Sequence, residues 1–197
     1  AYRFLVSHYT RGKSGAQRDR IYIFGYSRGA YTARILAGFL NCLGLIEKDQ
    51  LNLLDYAYRA YKAVNERGDD RPDWAELNLY DRMLRPEYPP IRCLGLFDTV
   101  ASVIEIGRWG PRFRLHAATS DNPSVQAVRH AVSIDERRSL YQPVLWPAGQ
   151  DFYGNRFKKT KPAPQDRREL WFAGSHPDVG GGRPEAESAL AKVPLVW

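Results

Sequence analysis

The pentapeptide Gly25-Tyr26-Ser27-Arg28-Gly29 is the segment whose residue types point most directly to chemistry. It follows the apolar run Ile21-Tyr22-Ile23-Phe24 and precedes residues 28–41, where apolar side chains recur at helical spacing. A G-x-S-x-G segment between a strand and a helix is typical of a nucleophile elbow, which presents a serine hydroxyl above a sheet. We therefore predict that Ser27 is a nucleophile. The alternative is a glycine-rich turn whose serine only caps the helix.

The residues around this serine would support it in two ways. Gly25 and Gly29 are expected to leave room for a close approach of the strand and the helix. The backbone N–H of Arg28, at the helix N-terminus, is the expected first oxyanion donor, and the helix dipole adds positive charge there. The second donor normally comes from a loop after an earlier strand. We expect that strand to be missing, so that the fold is incomplete at its N-terminus.

A serine hydroxyl needs a base, and the chain contains four histidines. His176 lies in a glycine-rich segment after a strand pattern, at the sheet edge where ligands bind. We expect His176 to be the general base. His8 and His130 lie in helical patterns and are expected to be structural, whereas His116, after a basic loop, stays open as an alternative base.

The acid is predicted to be Asp98, which ends the apolar strand pattern at 91–97. Its carboxylate would then reach the same sheet edge as Ser27, where it would orient His176 and stabilise the imidazolium. Asp178 is the rival acid, although we expect it to bind backbone N–H groups of its own glycine-rich loop.

The remaining elements are those that must position these side chains. Periodicity and stop signals predict helices over 2–9, 28–41, 50–66 and 124–140, and strands over 21–24, 91–97 and 169–173. This alternation predicts an α/β fold with a mostly parallel sheet and helices on both faces. Residues 101–125 and 143–168 are expected to form an irregular lid. Asp135 and Glu136, with Arg137 and Arg138, would form a structural charge network on the helix over 124–140.

Composition excludes several classes of protein. The 197 residues are 44% hydrophobic and 26% charged, which predicts one globular domain over 1–197 and excludes a disordered chain. The apolar runs are too short for a transmembrane helix, and we see no signal peptide. Both ends of the sequence are apolar, and we expect the chain to be a fragment of a longer one. Cys42 and Cys93 are expected to be reduced thiols.

The net charge of +7 favours anionic partners such as phospholipid headgroups, whereas no motif supports binding of nucleic acid. We expect the basic tract over 156–161, with Arg167 and Arg168, to be a solvated loop; docking to anionic lipid is the alternative. Residues 108–115 alternate apolar residues with arginines, as in an edge strand or a lid that touches a membrane.

Neither a metal nor a cofactor is expected. His176 and Asp178 have no third and fourth ligand at a recognisable spacing, and the sequence contains no phosphate-binding loop or dinucleotide fingerprint.

Four segments together resemble the motif set of one α/β-hydrolase family, which includes the class 1 type VI secretion lipase effectors. The segments are Gly25-Tyr26-Ser27-Arg28-Gly29-Ala30-Tyr31-Thr32-Ala33-Arg34, Leu96-Phe97-Asp98-Thr99-Val100, His130-Ala131-Val132-Ser133-Ile134-Asp135-Glu136-Arg137 and Trp171-Phe172-Ala173-Gly174-Ser175-His176-Pro177-Asp178-Val179-Gly180-Gly181-Gly182. They follow the family's order over most of the chain, although the Asp-Gly-Thr strand that begins family members is absent here.

The resemblance implies an α/β-hydrolase fold and a triad of Ser27, Asp98 and His176 that hydrolyses phospholipid through an acyl-enzyme. It also implies a protein made in the cytoplasm, delivered by type VI secretion to a target-cell periplasm, and bound by an immunity or secretion partner. Two alternatives stay open. One is a small-ester hydrolase without lipid preference, and the other is a non-enzymatic, hydrolase-like binding module.

Overall fold

The computed structural model describes residues 1–12, 18–64, 74–100, 104–107, 110–113, 117–154 and 162–197. In these ranges the helices are α1 Tyr2–His8, α2 Arg28–Leu43, α3 Leu54–Ala63, α4 Ala75–Leu84, α5 His176–Gly180 and α6 Ala189–Val196. The strands are β1 Ile21–Tyr26, β2 Ile91–Phe97, β3 Ile104–Gly107, β4 Gly110–Phe113, β5 Val125–Ser133, β6 Asp151–Phe152, β7 Ala163–Pro164 and β8 Asp166–Phe172. Short 3₁₀ helices cover Lys48–Leu53, Ser139–Tyr141 and Glu185–Glu187.

The central sheet contains four parallel strands in the order β1-β2-β5-β8. Tyr26 pairs with Phe97, and Phe97 pairs with Ala131 of β5, so the carboxyl ends of the strands meet along one edge. Strands β3 and β4 form a separate antiparallel pair, as do β6 and β7. The predicted α/β fold with a mostly parallel sheet is confirmed.

The main core lies between one face of the sheet and helices α1 to α4. Ile23, Leu94 and Val128 are paired across neighbouring strands and are all buried in it. Helix α2 packs directly on β1 and β2, because its small and apolar residues, such as Ala37 and Leu40, recur on one side. It ends at Gly44, whose φ of 75° is readily adopted by glycine.

The opposite face of the sheet is covered only in part by the described residues. The register places Phe172 on this face, where its ring lies 5.6 Å from that of Trp197 at the end of α6. Helical segments thus contact both faces. On β1, however, Tyr22 and Phe24 of this face are 53% and 65% exposed.

The predicted helix over 124–140 is wrong, because Val125–Ser133 is the third strand of the sheet. The valines of this segment recur at a spacing that also suits a helix, but the strand lies between two others and most of its residues are buried. Asp135 and Glu136 therefore follow a strand and are not helical. Helix α4 was not predicted, and β8 begins three residues before the predicted strand.

The expected lid is also corrected in part. Trp146 is 1% exposed and belongs to the core, Val125 begins β5, and residues 166–168 belong to β8. Residues 108–109, His116 and the basic tract over 156–161 lie outside the described residues. A lid role for the other residues of both segments stays a prediction.

Cys42 and Cys93 do not form a disulfide with each other. Among the helices that the structure describes, none combines the length and the apolar character needed to cross a membrane.

Candidate active site

Ser27 lies in a strained turn between β1 and α2. Its φ of 57° and ψ of −125° lie outside the usual regions for a residue with a side chain, at a cost of about 1–3 kcal/mol. The Ser27 N–H donates to the carbonyl oxygen of Phe97 at 2.9 Å, which ties the turn to the end of β2. The local geometry agrees with the predicted elbow.

The two glycines of the motif differ in what surrounds them. A Cβ atom on Gly25 would lie 2.3 Å from the backbone oxygen of Gly29, so only glycine permits this approach of strand and helix. A Cβ atom on Gly29 would meet no described atom within 4 Å. The predicted packing reason therefore holds for Gly25 but not for Gly29.

Arg28 is the first residue of α2, so its backbone N–H has no carbonyl one turn earlier to accept its hydrogen bond. This N–H directly follows Ser27 and lies at the positive end of a helix of 16 residues. Its place is the one expected for an oxyanion donor, and that role stays a prediction.

Asp98 follows β2 and is fully buried. Its φ of 43° is left-handed, and its N–H donates to the carbonyl of Ala131 at 2.7 Å. The carboxylate accepts hydrogen bonds from the backbone N–H and the hydroxyl of Ser133, at 2.9 and 2.7 Å. Counting His176, three groups therefore lie within hydrogen-bonding distance of this buried carboxyl and replace its contacts with water.

His176 opens the short helix α5 and connects the other two residues. Its Nδ1 lies 2.6 Å from Oδ2 of Asp98, and its Nε2 lies 2.8 Å from Oγ of Ser27. If Nδ1–H donates to the carboxylate, the lone pair of Nε2 faces the serine hydroxyl. The three residues singled out in the sequence therefore form one continuous chain of hydrogen bonds.

Aromatic rings and one carboxylate hold His176 in this position. Its ring lies 4.7 Å from that of Tyr26 and 4.9 Å, edge-on, from that of Tyr141. Its backbone N–H donates to Oε2 of Glu136 at 3.2 Å. The side chain of Arg138 pairs with Glu136, so the pKa of this carboxyl is lowered to about 2.

A second histidine, His130, contacts the backbone next to Asp98. His130 is fully buried on β5, with Nδ1 2.8 Å from Oε2 of Glu169. Its Nε2 accepts the backbone N–H of Thr99, the residue after Asp98, at 3.3 Å. Burial lowers the pKa of His130, although the hydrogen bond to Glu169 opposes the shift. The predicted structural role of His130 agrees with these contacts, but on a strand and not on a helix.

Glu169 forms hydrogen bonds with both His130 and the backbone of Trp146, which is a core residue. Burial raises the pKa of its carboxyl, but hydrogen bonds from His130 and from the Trp146 N–H outweigh burial and leave it lowered. Arg34 of α2 is fully buried, with its guanidinium carbon 5.2 Å from the ring centroid of Trp146, and it donates to the carbonyls of Val144 and Leu145 at 2.5 and 3.3 Å.

The other acids lie around the site without entering the chain of hydrogen bonds. Asp178 accepts from the N–H and the hydroxyl of Ser175 at 2.9 and 2.7 Å, so it binds a neighbouring backbone N–H as predicted, although it lies on α5 and not in a loop. Asp135 accepts from the N–H of Gly174 at 2.7 Å. In the part of the chain that is described, no cluster of three or more His, Cys, Asp or Glu side chains could hold a metal ion.

Sequence reasoning missed Ser133, Tyr26, Tyr141 and the contact of Glu136 with His176. Ser133 and Glu136 lie in or directly after β5, which was predicted to be helical. With a strand in their place, the sequence would have put Ser133 at the same sheet edge as Asp98. Tyr26 lies inside the elbow motif, and its position next to Ser27 could have indicated that its side chain contacts the site.

The chain is similar to one protein family, to one yeast protein and to one bacterial protein of known structure. The family model "T6SS, Phospholipase effector Tle1-like, catalytic domain" matches residues 1–197. An uncharacterized protein of Saccharomyces cerevisiae is 36% identical over 155 residues, which cover 74% of this chain and 20% of the yeast protein. The crystal structure of an uncharacterized protein from Pseudomonas aeruginosa matches with a TM-score of 0.48 and 21% identity, over 89% of this chain and 22% of that one.

The family model covers the whole chain and describes the catalytic domain of phospholipase effectors. The chain belongs to the Tle1-like family of type VI secretion phospholipase effectors. It spans about a fifth of the length of the yeast relative.

Proposed function

We propose that this chain is the catalytic part of a serine hydrolase that cleaves carboxylic esters of phospholipids. The observation that carries the proposal is the chain of hydrogen bonds from Oδ2 of Asp98 through His176 to Oγ of Ser27, at 2.6 and 2.8 Å. Both distances lie within the range for a working nucleophile and base. Membership of a phospholipase effector family supports the choice of a lipid ester as substrate.

In the proposed reaction, Oγ of Ser27 attacks the ester carbonyl while Nε2 of His176 takes the hydroxyl proton. The backbone N–H of Arg28 donates to the oxyanion of the tetrahedral intermediate. The intermediate collapses, and the imidazolium returns the proton to the leaving lysophospholipid oxygen. The products of this half-reaction are a lysophospholipid and an acyl-Ser27 ester.

Water completes the reaction by the same groups. His176 takes a proton from water, whose oxygen attacks the acyl-enzyme; when the second tetrahedral intermediate collapses to fatty acid, the imidazolium returns this proton to Oγ of Ser27. Asp98 accepts from Nδ1 of His176 and stabilises the imidazolium at each stage. Its contacts with Ser133 support this role, because the backbone N–H and the hydroxyl of Ser133 hold the carboxyl group in place beside His176.

The test is mass spectrometry of the lipid products that the full-length protein forms from phospholipid vesicles, beside its Ser27→Ala variant. We expect fatty acid and lysophospholipid from the wild type and neither from the variant. A short soluble ester assayed in parallel separates the alternatives. Cleavage of that ester alone would favour a small-ester hydrolase, and no Ser27-dependent cleavage of either substrate would favour a binding module.

We also propose, from the family description alone, that the full-length protein is delivered by type VI secretion and is bound by an immunity partner. Killing of a competitor that lacks this partner, lost when the secretion apparatus is deleted and in the Ser27→Ala variant, would support this route. Killing that persists when the secretion apparatus is deleted would contradict this route, and killing by the Ser27→Ala variant would contradict the role of Ser27 in it.

A further inference from the structure

The guanidinium of Arg138 lies beside the candidate active site, against the ring of Tyr141. Its central carbon is 3.8 Å from the centroid of the Tyr141 ring, which itself contacts the ring of His176. Glu136 gives a second link, because its Oε2 accepts both from Nη2 of Arg138, at 2.7 Å, and from the N–H of His176. Two independent contacts therefore fix the guanidinium relative to the catalytic histidine.

The bond pattern of Arg138 leaves one edge of its guanidinium open. Nε and Nη2 donate to the two oxygens of Glu136, at 2.8 and 2.7 Å, which uses one edge of the planar group. The other edge, formed by Nη1 and the second N–H of Nη2, donates to no residue in the described ranges. The Arg138 side chain is 55% exposed, whereas that of Glu136 is only 6% exposed.

We propose that the open edge of Arg138 binds the phosphodiester group of the substrate, and so makes the enzyme prefer phospholipids to neutral glycerides. This inference rests on the proposed function. Two parallel N–H groups on a planar cation suit two oxygens of a phosphodiester, and such paired, charge-assisted hydrogen bonds are among the stronger ones in proteins. In a glycerophospholipid, only the short glycerol backbone separates the phosphodiester from the scissile ester.

The surroundings of Arg138 favour recognition in a fixed orientation over a general attraction of negative charge. Glu136 offsets the charge of Arg138, so that the pair attracts distant anions weakly. The same carboxylate, with the ring of Tyr141, fixes the plane of the guanidinium before the substrate arrives. Arg137, the next residue along the chain, is exposed and makes no such pair in the described structure, so it provides a matched control.

The test compares two substrates that differ in the phosphate group. Dihexanoylphosphatidylcholine and dihexanoylglycerol carry the same acyl groups on the same backbone, and both are used as dissolved monomers. Measured on the full-length protein, Arg138→Gln should lower kcat/KM for the phospholipid by about 10- to 100-fold more than it lowers kcat/KM for dihexanoylglycerol. Arg138→Lys keeps the charge but loses the paired N–H donors, so its kcat/KM for the phospholipid should lie between those of the wild type and Arg138→Gln. Arg137→Gln should have the kcat/KM values of the wild type.

Each other outcome overturns the proposal in a recognisable way. An equal loss on both substrates would assign Arg138 to the positioning of Glu136 and His176, and no loss on either would mean that it contacts no substrate. If the wild type cleaves neither substrate, the proposed function fails and this inference fails with it. If it cleaves both and Arg138→Gln keeps the wild-type preference, only this inference fails.

Discussion

Ser133 donates its backbone N–H to one oxygen of Asp98 and its hydroxyl to the other, at 2.9 and 2.7 Å. It stands at the end of β5, next to the strand that Asp98 follows, so the sheet itself determines their separation. Because Oδ2 also accepts from the Ser133 hydroxyl, the contact with Ser133 orients the carboxylate of Asp98 toward Nδ1 of His176.

Removing the Ser133 hydroxyl should slow ester hydrolysis. In Ser133→Ala the backbone N–H still holds Asp98, but one hydrogen bond to a buried carboxylate is lost, worth roughly 1.5–3 kcal/mol. We expect kcat to fall at least about tenfold with little change in KM. Steady-state kinetics on a soluble ester measures this, with Ser7→Ala on the exposed side of α1 as the control. Wild-type kcat in Ser133→Ala would contradict the positioning role.

A methyl group at Gly25 should destabilise the whole domain. In Gly25→Ala the Cβ would overlap the backbone oxygen of Gly29, and neither backbone segment can move without separating β1 from α2. We expect the free energy of unfolding to fall by about 3 kcal/mol or more. In Gly29→Ala, where no described atom lies within 4 Å, the change should stay within about 1 kcal/mol. Urea denaturation of both variants measures the difference, and equal effects would contradict this account of the elbow.

Stability should depend on pH through His130. Burial lowers its pKa in the folded state, so between this value and the unfolded pKa of about 6.5 the unfolded chain binds more protons. Its contribution is then complete above about pH 6.5 and is lost as pH falls through the folded pKa. Denaturation measurements should show that the free energy of unfolding falls less between about pH 7.5 and about pH 5.5 in His130→Gln than in the wild type.

The matched control for this measurement is His8→Gln, because His8 is exposed on α1. It should keep the wild-type loss between the two pH values. If the free energy of unfolding changes equally with pH in His130→Gln and in the wild type, then His130 does not contribute to the pH dependence of stability. Glutamine is chosen because its carbonyl oxygen can still accept the N–H of Thr99.

Arg34 should be important for stability although it is far from the exposed surface. It is fully buried, burial lowers its pKa to about 10, and it satisfies the carbonyls of Val144 and Leu145. In Arg34→Met these two partly buried carbonyls lose their donor and the core loses a buried side chain that contacts Trp146, and we expect a loss of about 2–4 kcal/mol. Arg3→Met, at an exposed ion pair, should change stability by less than about 0.5 kcal/mol. Thermal denaturation of both variants measures the contrast, and similar small effects would contradict it.

The elements around the site differ in how far the sequence could predict them. β1, α2 and β2 were predicted closely, because turn residues bound each apolar segment and place Ser27 and Asp98 at element ends. β5 was missed because a central parallel strand is buried on both faces and loses the alternation that identifies a strand. The valines at 125, 128 and 132 then satisfied a helical spacing equally well.

The contacts within the site were less predictable than its members. The motifs identified Ser27, Asp98 and His176 as candidates, and the structure brings them together. The part played by Glu136 depends on a loop after β5 meeting the helix that begins with His176, forty residues later in the chain. No local pattern encodes such a contact, because only the parallel order of β5 and β8 makes these two loops neighbours.

The central claim is that Ser27 is a nucleophile activated by His176, and active-site labelling tests it most directly. The full-length protein and its His176→Ala variant would be treated with a fluorophosphonate, and the modified residue identified by peptide mass spectrometry. We predict that Ser27 alone is phosphonylated in the wild type, and that labelling slows at least about a thousandfold in His176→Ala. An unlabelled Ser27 in a protein that hydrolyses esters, or labelling at the same rate without His176, would contradict the account.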